Sequence, residues 1–590
     1  MNDDTLVRAA RRDPGAVCAI ALERARAGEL ELAIRLWRAV LAASPGHAEA
    51  AALLPDAIDR LLRAGFGRHR AGRPDEAEPF YRAVLRNDPG NADALHLLAL
   101  VVAPRDGVEA DALYRAAFAA RPEFPEALHN HARFLTATGR YDAAVAVLRR
   151  LLAIDPQWPD GCHALGMALN GAERGREAVP WFRRMLVLVP DHVEAWLSIA
   201  SYDDRAGRME EALGAYRGAV ALRPDLEMPH FMLAHALLKL GRPAEAAGSL
   251  GRCDRLAPGD HRNALSLGMV LEALEDWDGA EAAYALAVRL CPSSGENFTL
   301  HALLRLRRAF DWPEKPRLAA SGARVTMTTL GRNGRFGNSI LQYAFLRLYA
   351  AEHGMAYEVP EWVGRYLFDG NDPWPSAPLS VLHEADARLA DSLARRIPLV
   401  YRNYNLLGHF CYPTAAMARH RGLFRDMLAP NPVLRPRLDH AMERLRGMGR
   451  TVVSVHLRRG DFGQGPFWIA PEAWYQAWLE EHWAGLDAPV LHLATDEPAL
   501  AEAFGRYRPV VPADLGVSLP GADFYLDFHI LSCADVVLIS NSTFSFTATM
   551  LNAARDGGEA RRFLRPDRDR RCLVPYDPWD ADPPQLFRPS

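Results

Sequence analysis

Through the first half of the chain, small, aromatic and turn-forming positions recur with a fixed step. Pro122, Pro156, Pro190, Pro224, Pro258 and Pro292 stand 34 residues apart, and Ala144, Ala178, Ala212, Ala246 and Ala280 each precede a proline by twelve. A third position of the same period holds Ala132, Gly166, Ala200, Ala234 and Gly268. Earlier in the chain Ala110 with Pro122, Ala77 with Pro89 and Ala33 with Pro45 keep the twelve-residue offset, so one repeat has lost a residue and about ten extra separate the first two. The pattern predicts paired helices: small residues for close approach, aromatics (Tyr81, Tyr114, Phe182, Tyr216, Tyr284) to fill the gap, glycines 139, 207 and 241 at turns, and proline to end the second helix.

This pattern resembles the tetratricopeptide repeat family, with eight units over 14–294 and a capping helix at 296–310. The resemblance implies an all-α solenoid with a concave surface for peptides, a protein partner or another copy of the chain, the alternative being a scaffold or dimerisation arm. Histidines 129, 131, 163, 230, 235 and 261 have no constant pairing along the repeats and are expected to be packed or solvated rather than metal ligands.

After FDWPEKPRLAASG (310–322) the period stops, and short β-rich runs alternate with helical stretches. RVTMTTL (324–330), TVVSVHL (451–457), VLHLAT (490–495) and DVVLIS (535–540) are predicted strands; PEAWYQAWLEEHW, EPALAEAFGRY and FYLDFHILSCA are predicted helices. Such alternation indicates a parallel α/β organisation, here two Rossmann-like lobes. The expected divisions are therefore 1–294, a cap and linker at 295–322, and an α/β domain at 323–590 with lobes 323–448 and 449–590.

In parallel sheets, ligands bind beyond the carboxyl ends of strands. After the first strand, GRNGRFGN (331–338) supplies three glycines and a helix start, a turn that allows close backbone approach to a ligand. A dinucleotide site, with Glu358 as the ribose acid, is disfavoured because the spacing is GxxGxxG. After TVVSVHL comes the densest cluster: His456, Arg458, Arg459, Gly460 and Asp461. Two arginines at a strand end suit a diphosphate, whose oxygens guanidinium forks bind bidentately. The next strand ends in Thr495 and Asp496, and the last in SNSTFSF, with Asn541, Ser542 and Thr543 opening a helix. Ser542 and Thr543 are also good helix-capping types. Asp527 is an acid among apolar neighbours in YLDFHIL.

Composition narrows the chemistry. Hydrophobic residues are 49% and charged residues 24% of 590, which excludes a mainly disordered chain. A net charge of −4 gives no bulk electrostatic case for nucleic acid or anionic lipid. Seven scattered cysteines without a CxxC pair point to free thiols in a reducing compartment. The start lacks a signal-peptide core and no apolar run is long enough to span a membrane, so the expectation is a soluble cytoplasmic protein. Only Lys239 and Lys315 are lysines among 69 basic residues, so phosphate chemistry falls to arginine.

GRFGN with LQYAF, VHLRRGD and SNSTFSF, in this order over 324–556, resemble the three motifs of the α1,2-fucosyltransferases, and ATDEPAL and YLDFHIL resemble segments of α1,6-fucosyltransferases. The resemblance implies a GT-B fold and an inverting, metal-independent transfer of L-fucose from GDP-fucose, with no cofactor, to a glycan hydroxyl in α1,2 linkage. Acceptors in keeping with it are a surface-polysaccharide or lipid-linked oligosaccharide precursor, or a protein held by the repeats. By position, Arg459 would neutralise the β-phosphate with Arg458 and His456 beside it. Gly337 and Asn338 would line the donor cleft, Asp496 would lie near guanosine, and Asn541, Ser542 and Thr543 near the diphosphate. Asp527 would orient ribose or the arginines, and Asp461 is the candidate base. The chain departs from the family at Ser339, where glutamine is usual, and at Phe546–Thr547 in place of an aromatic pair. Competing readings are a repeat adaptor with an inactive sugar-nucleotide domain and an O-GlcNAc-transferase-like enzyme, the latter disfavoured by the missing lysine. The acidic DRD (567–569) and DAD (580–582) of a metal-dependent transferase fall in a Pro- and Arg-rich tail and are incidental.

Overall fold

The computed structural model describes residues 3–318, 320–460, 462–463, 468–553 and 562–584. It divides into two compact units, Met1–Leu240 and Gly241–Ser590.

The first unit is helical throughout. Helices starting at Pro125, Pro159, Val193 and Glu227 are 34 residues apart, as are those starting at Gly107, Tyr141, Gly175 and Met209. Helices of the second set end at Ala120, Ile154, Leu188 and Leu222, each two residues before a periodic proline. The extra residues near the start extend one helix, Ala48–Arg70, to 23 residues instead of opening a loop. The periodic alanines and aromatics are fully buried, and a methyl on Gly166 would lie 2.6 Å from the Phe182 ring. Small residues are thus required where aromatics cross. The turn position takes a left-handed backbone at Gly139 and Gly207 here and at Gly241 in the second unit, and also at Glu173 and Glu275, where glycine is missing. His131 is buried against Asp111 at 2.8 Å and the His163 ring lies tilted 4.7 Å from that of His192, so these imidazoles are packed.

The second unit opens with helices Pro243–Leu256, His261–Ala273 and Trp277–Leu290, then Gly295–Ala309. The last helix has two buried faces. Leu304 packs with Tyr284 and Ala280, while Ala302, Leu303 and Leu306 belong to the core of the following α/β region. The sequence places a boundary at 294; the compact division falls after Leu240, and the helix Gly295–Ala309 is part of the α/β core.

That region has two sheets. Strands β1 (Arg324–Thr326), β2 (Ala356–Glu358), β3 (Ser380–His383) and β4 (Tyr404–Leu407) form a parallel sheet in the order β2-β1-β4-β3. Strands β5 (Thr451–Leu457), β6 (Pro489–Thr495), β7 (Val536–Leu538), β8 (Arg562–Asp567) and β9 (Cys572–Pro575) form the second, ordered β6-β5-β7-β8-β9 and parallel except for β9. The expected strand at 324–330 is three residues long, and the expected helix at 497–507 is the single turn Leu500–Ala503 followed by a 3-10 turn. Along β5, Val453, Val455 and Leu457 pack with Leu491, Leu493 and Tyr475, whereas Ser454 and His456 face the other way. Glu358, the would-be ribose acid, is buried and paired with Arg324 at 3.1 Å. Asp567 accepts backbone N–H bonds from Asp569 and Arg570, which makes DRD the β8–β9 turn. All seven cysteines are free thiols. Among the described residues, no helix is long and apolar enough to cross a membrane.

Candidate functional site

Beyond the carboxyl ends of β5, β6 and β7 lies a cavity of about 680 Å³. Two helix N-termini meet on its wall. Phe336–Glu352 follows the glycine-rich turn and Thr543–Ala553 follows β7. A methyl on Gly337 would stand 2.5 Å from the Thr543 carbonyl carbon and 2.7 Å from Phe544 Cα, so only glycine permits this approach. The buried Thr543 Oγ1 donates to Asn338 Oδ1 at 2.6 Å and ties the two ends together. First-turn N–H groups and two converging helix dipoles make this wall favourable to an anion.

Arg458 supplies the cation. It lines the cavity, and its guanidinium is held by Asp496 at 2.9 Å and lies over the Phe462 ring. Asp496 also accepts the Arg459 backbone N–H at 2.8 Å and packs against Gly460, where a Cβ would lie 2.7 Å from its carboxylate. Asp496 is therefore the pin that sets the arginine, in addition to lining the cavity.

Arg459 takes a different place from the one its motif implies. Its guanidinium pairs with Glu472 at 3.1 Å and donates to the Ala470 carbonyl at 3.1 Å, outside the cavity lining. Within β5, Ser454 and His456 share one face and Val453, Val455 and Leu457 the other. Both arginines follow the last strand residue, Leu457, and their partners part them: Asp496 holds Arg458 at the cavity and Glu472 draws Arg459 away from it. Asp461 lies outside the described residues.

His456 is buried, with Nδ1 2.8 Å from Ser545 Oγ and 2.9 Å from Ser540 Oγ. Burial, with a smaller contribution from nearby Arg458 and His492, pushes it down to about 3, so it presents a neutral ring. Asp527 lines the cavity and is anchored from behind: its Oδ1 meets His492 Nε2 at 3.0 Å, and His492 Nδ1 meets Ser454 Oγ at 2.8 Å. This Ser–His–Asp chain runs opposite to a hydrolase triad, because the serine is fully buried and the carboxylate faces the cavity. The arrangement delivers a fixed acceptor, not a nucleophile. Sequence reasoning missed His492, although the Ser454↔His492 register of β5 and β6 places it on the cavity side.

Gly337, Asn338, His456, Arg458, Asp496, Asp527, Ser542 and Thr543 are thus gathered on one cavity, and Asn541 and Arg459 are not among its lining residues. Both departures from the family pattern lie in packing. Ser339 is buried with its hydroxyl on the Arg335 carbonyl, Phe546 is buried, and Thr547 bonds to the Thr543 carbonyl. The helix Gly295–Ala309 contributes a wall as well. Phe298 lines the cavity and packs on Phe524 at 5.0 Å, and the buried Thr299 hydroxyl donates to the Gly331 carbonyl at 2.5 Å. No sequence signal pointed to this role.

Comparison with known families matches tetratricopeptide repeat models to residues 102–165, 163–227 and 231–295. These segments are tetratricopeptide repeats. Repeats of this kind point to a protein-interaction or adaptor role. Among solved structures, a tetratricopeptide repeat protein from Parabacteroides merdae shares 18% identity, covering 40% of this chain and 93% of that one, with a TM-score of 0.33. MamA from Desulfovibrio magneticus shares 18% over 28% of this chain and 95% of its own, with a TM-score of 0.27. YrrB, a tetratricopeptide repeat protein, shares 18% over 32% of this chain and 97% of its own, with a TM-score of 0.29. No curated protein matches the sequence.

Proposed function

We propose that the α/β region is an inverting, metal-independent glycosyltransferase of GT-B type that moves L-fucose from GDP-fucose to a glycan hydroxyl, with the tetratricopeptide repeats recruiting the acceptor or a partner protein. The observation that carries this reading is the convergence on one cavity of the three motif segments that resemble fucosyltransferases, with a cation and two helix N-termini on its wall. As the glycosidic bond breaks, charge grows on the departing diphosphate. A fixed guanidinium and fixed backbone N–H groups stabilise that charge more than they stabilise the ground state. In this reading Arg458, not Arg459, meets the diphosphate, Asp496 holds Arg458, and Asp527 and neutral His456 contact the nucleoside.

Calorimetric titration of the full chain with GDP, UDP and NAD tests the proposal. GDP is expected to bind, and Arg458→Ala to weaken it by about 10- to 150-fold, the loss of one charge-assisted phosphate contact of about 1.5–3 kcal/mol. Arg459→Ala is expected to retain GDP binding. Preferential binding of UDP or NAD overturns the donor assignment. A chain that binds none of them favours the second reading, a repeat adaptor with an inactive sugar-nucleotide domain, which the matched repeats support.

A further inference from the structure

The first lobe carries a strained loop that the motifs do not explain. Immediately after β4, Phe410 is fully buried with a left-handed backbone (φ 56°), an outlier for a bulky side chain. Glu384, buried at the end of the neighbouring strand β3, holds it there. Its carboxylate accepts the His409 N–H at 2.7 Å and the Phe410 N–H at 3.1 Å. Gly408 is needed beside it, because a Cβ there would lie 2.5 Å from Glu384 Cβ. Gln342 donates to the carbonyls of Gly408 and Asn333, which joins this loop to the glycine-rich turn. Phe410 stacks on Phe345 at 4.8 Å. All of this fixes one exposed side chain, His409, on the cavity lining contributed by the first lobe. Among the described residues its ring has no hydrogen-bond partner. Backbone strain over-determined in this way is a mark of function.

The other titratable or charged groups facing the same cavity are Arg335, Cys411, His456, Arg458, Asp496 and Asp527. Asp496 is paired with Arg458, Asp527 is bound to His492, His456 is held neutral by burial, and burial pushes the Cys411 thiol up to about 12. Among the described residues, His409 is the titratable lining group whose side chain has no hydrogen-bond or ion-pair partner.

Resting on the transferase reading above, we infer that His409 is the base that takes the acceptor's proton, and that Glu384 is the residue that positions it. The acceptor O–H proton passes to a ring nitrogen of His409 as the acceptor oxygen bonds to the fucosyl C1. The bond from C1 to the β-phosphate oxygen breaks, and its electron pair stays on GDP beside Arg458. The imidazolium then returns its proton to solvent.

The test uses the full chain with GDP-fucose and water as acceptor, following GDP release across pH. The parent is expected to show an acid limb. His409→Ala is expected to release GDP about 100-fold more slowly, at the low end for a general base, to lose that limb, and to regain at least tenfold in rate with added imidazole. Its GDP affinity should remain within about threefold of the parent by calorimetry, which establishes that the variant is folded. Glu384→Gln is expected to lower the rate while keeping the acid limb, since the base is present but no longer held. A His409→Ala variant with the parental rate, the parental limb or no imidazole rescue overturns the inference. A parent that binds no GDP removes the transferase reading itself, so the two failures are distinguishable.

Discussion

Gly337→Ala separates two opposing effects by sign. Gly337 is the second residue of the helix Phe336–Glu352, and an alanine there favours an isolated helix by about 0.5–1 kcal/mol. In the folded protein the new methyl would be 2.5 Å from the Thr543 carbonyl carbon and 2.7 Å from Phe544 Cα. Both atoms are backbone at the start of another helix, so no rotamer change relieves the overlap. Overpacking costs about 1–3 kcal/mol, and a rigid neighbour puts this case at about 3. The net is a loss of about 2 kcal/mol, confined to the junction of the two helix ends. Amide hydrogen exchange reads such local stability. Peptides from 336–352 and 543–553 should exchange about 30-fold faster than in the parent, by the conversion of 1.4 kcal/mol per tenfold. Gly214→Ala is the control, because Gly214 lies inside the helix Met209–Leu222 with nothing near its missing Cβ. It should stabilise. Unchanged or slower exchange at both Gly337 segments would refute the close approach as the reason for glycine.

Acid stability follows from His456, which burial pushes from 6.5 to about 3. Between these values the unfolded chain binds a proton that the folded chain refuses, so stability falls as pH is lowered through this window, by up to about 1.4 kcal/mol per pH unit. His456→Asn should show a correspondingly shallower loss in urea unfolding between pH 6.5 and 4.5, and equal slopes would mean that the folded imidazole titrates normally. Removing residues 1–310 should unfold the α/β region, because Ala302, Leu303 and Leu306 leave its core and Phe298 its cavity. A chain beginning at Gly241 should remain folded by circular dichroism and size exclusion, and a monodisperse, folded 311–590 would refute the role given to that helix.

The repeat array was legible because each repeat restates the same local demands: a small residue where helices cross, a left-handed turn, and a proline two residues past the helix. Strand β5 was legible for a similar reason, since Thr451–Leu457 is a bounded apolar run. The cavity lining at Asn338, His456, Arg458, Asp496, Asp527, Ser542 and Thr543 was within reach because parallel sheets carry their chemistry at strand ends. The choice between Arg458 and Arg459 was not, because both follow the last residue of β5 and their partners, Asp496 and Glu472, come from other segments.

What remained hidden depends on contacts distant in sequence. Glu384 acts on backbone N–H groups 25 and 26 residues away. Gly295 is small because Arg332 and Gly334 lie over it, with a Cβ 2.9 Å from the Arg332 carbonyl oxygen. No period or propensity encodes such pairs. The sequence by itself determined the repeating helices and the ends of the second-sheet strands, where each residue answers mainly to its near neighbours. Only the tertiary structure decided which arginine faces the cavity floor, that a repeat-array helix forms part of its wall, and that a strained loop presents His409. Those outcomes are set by packing between segments the chain brings together only on folding.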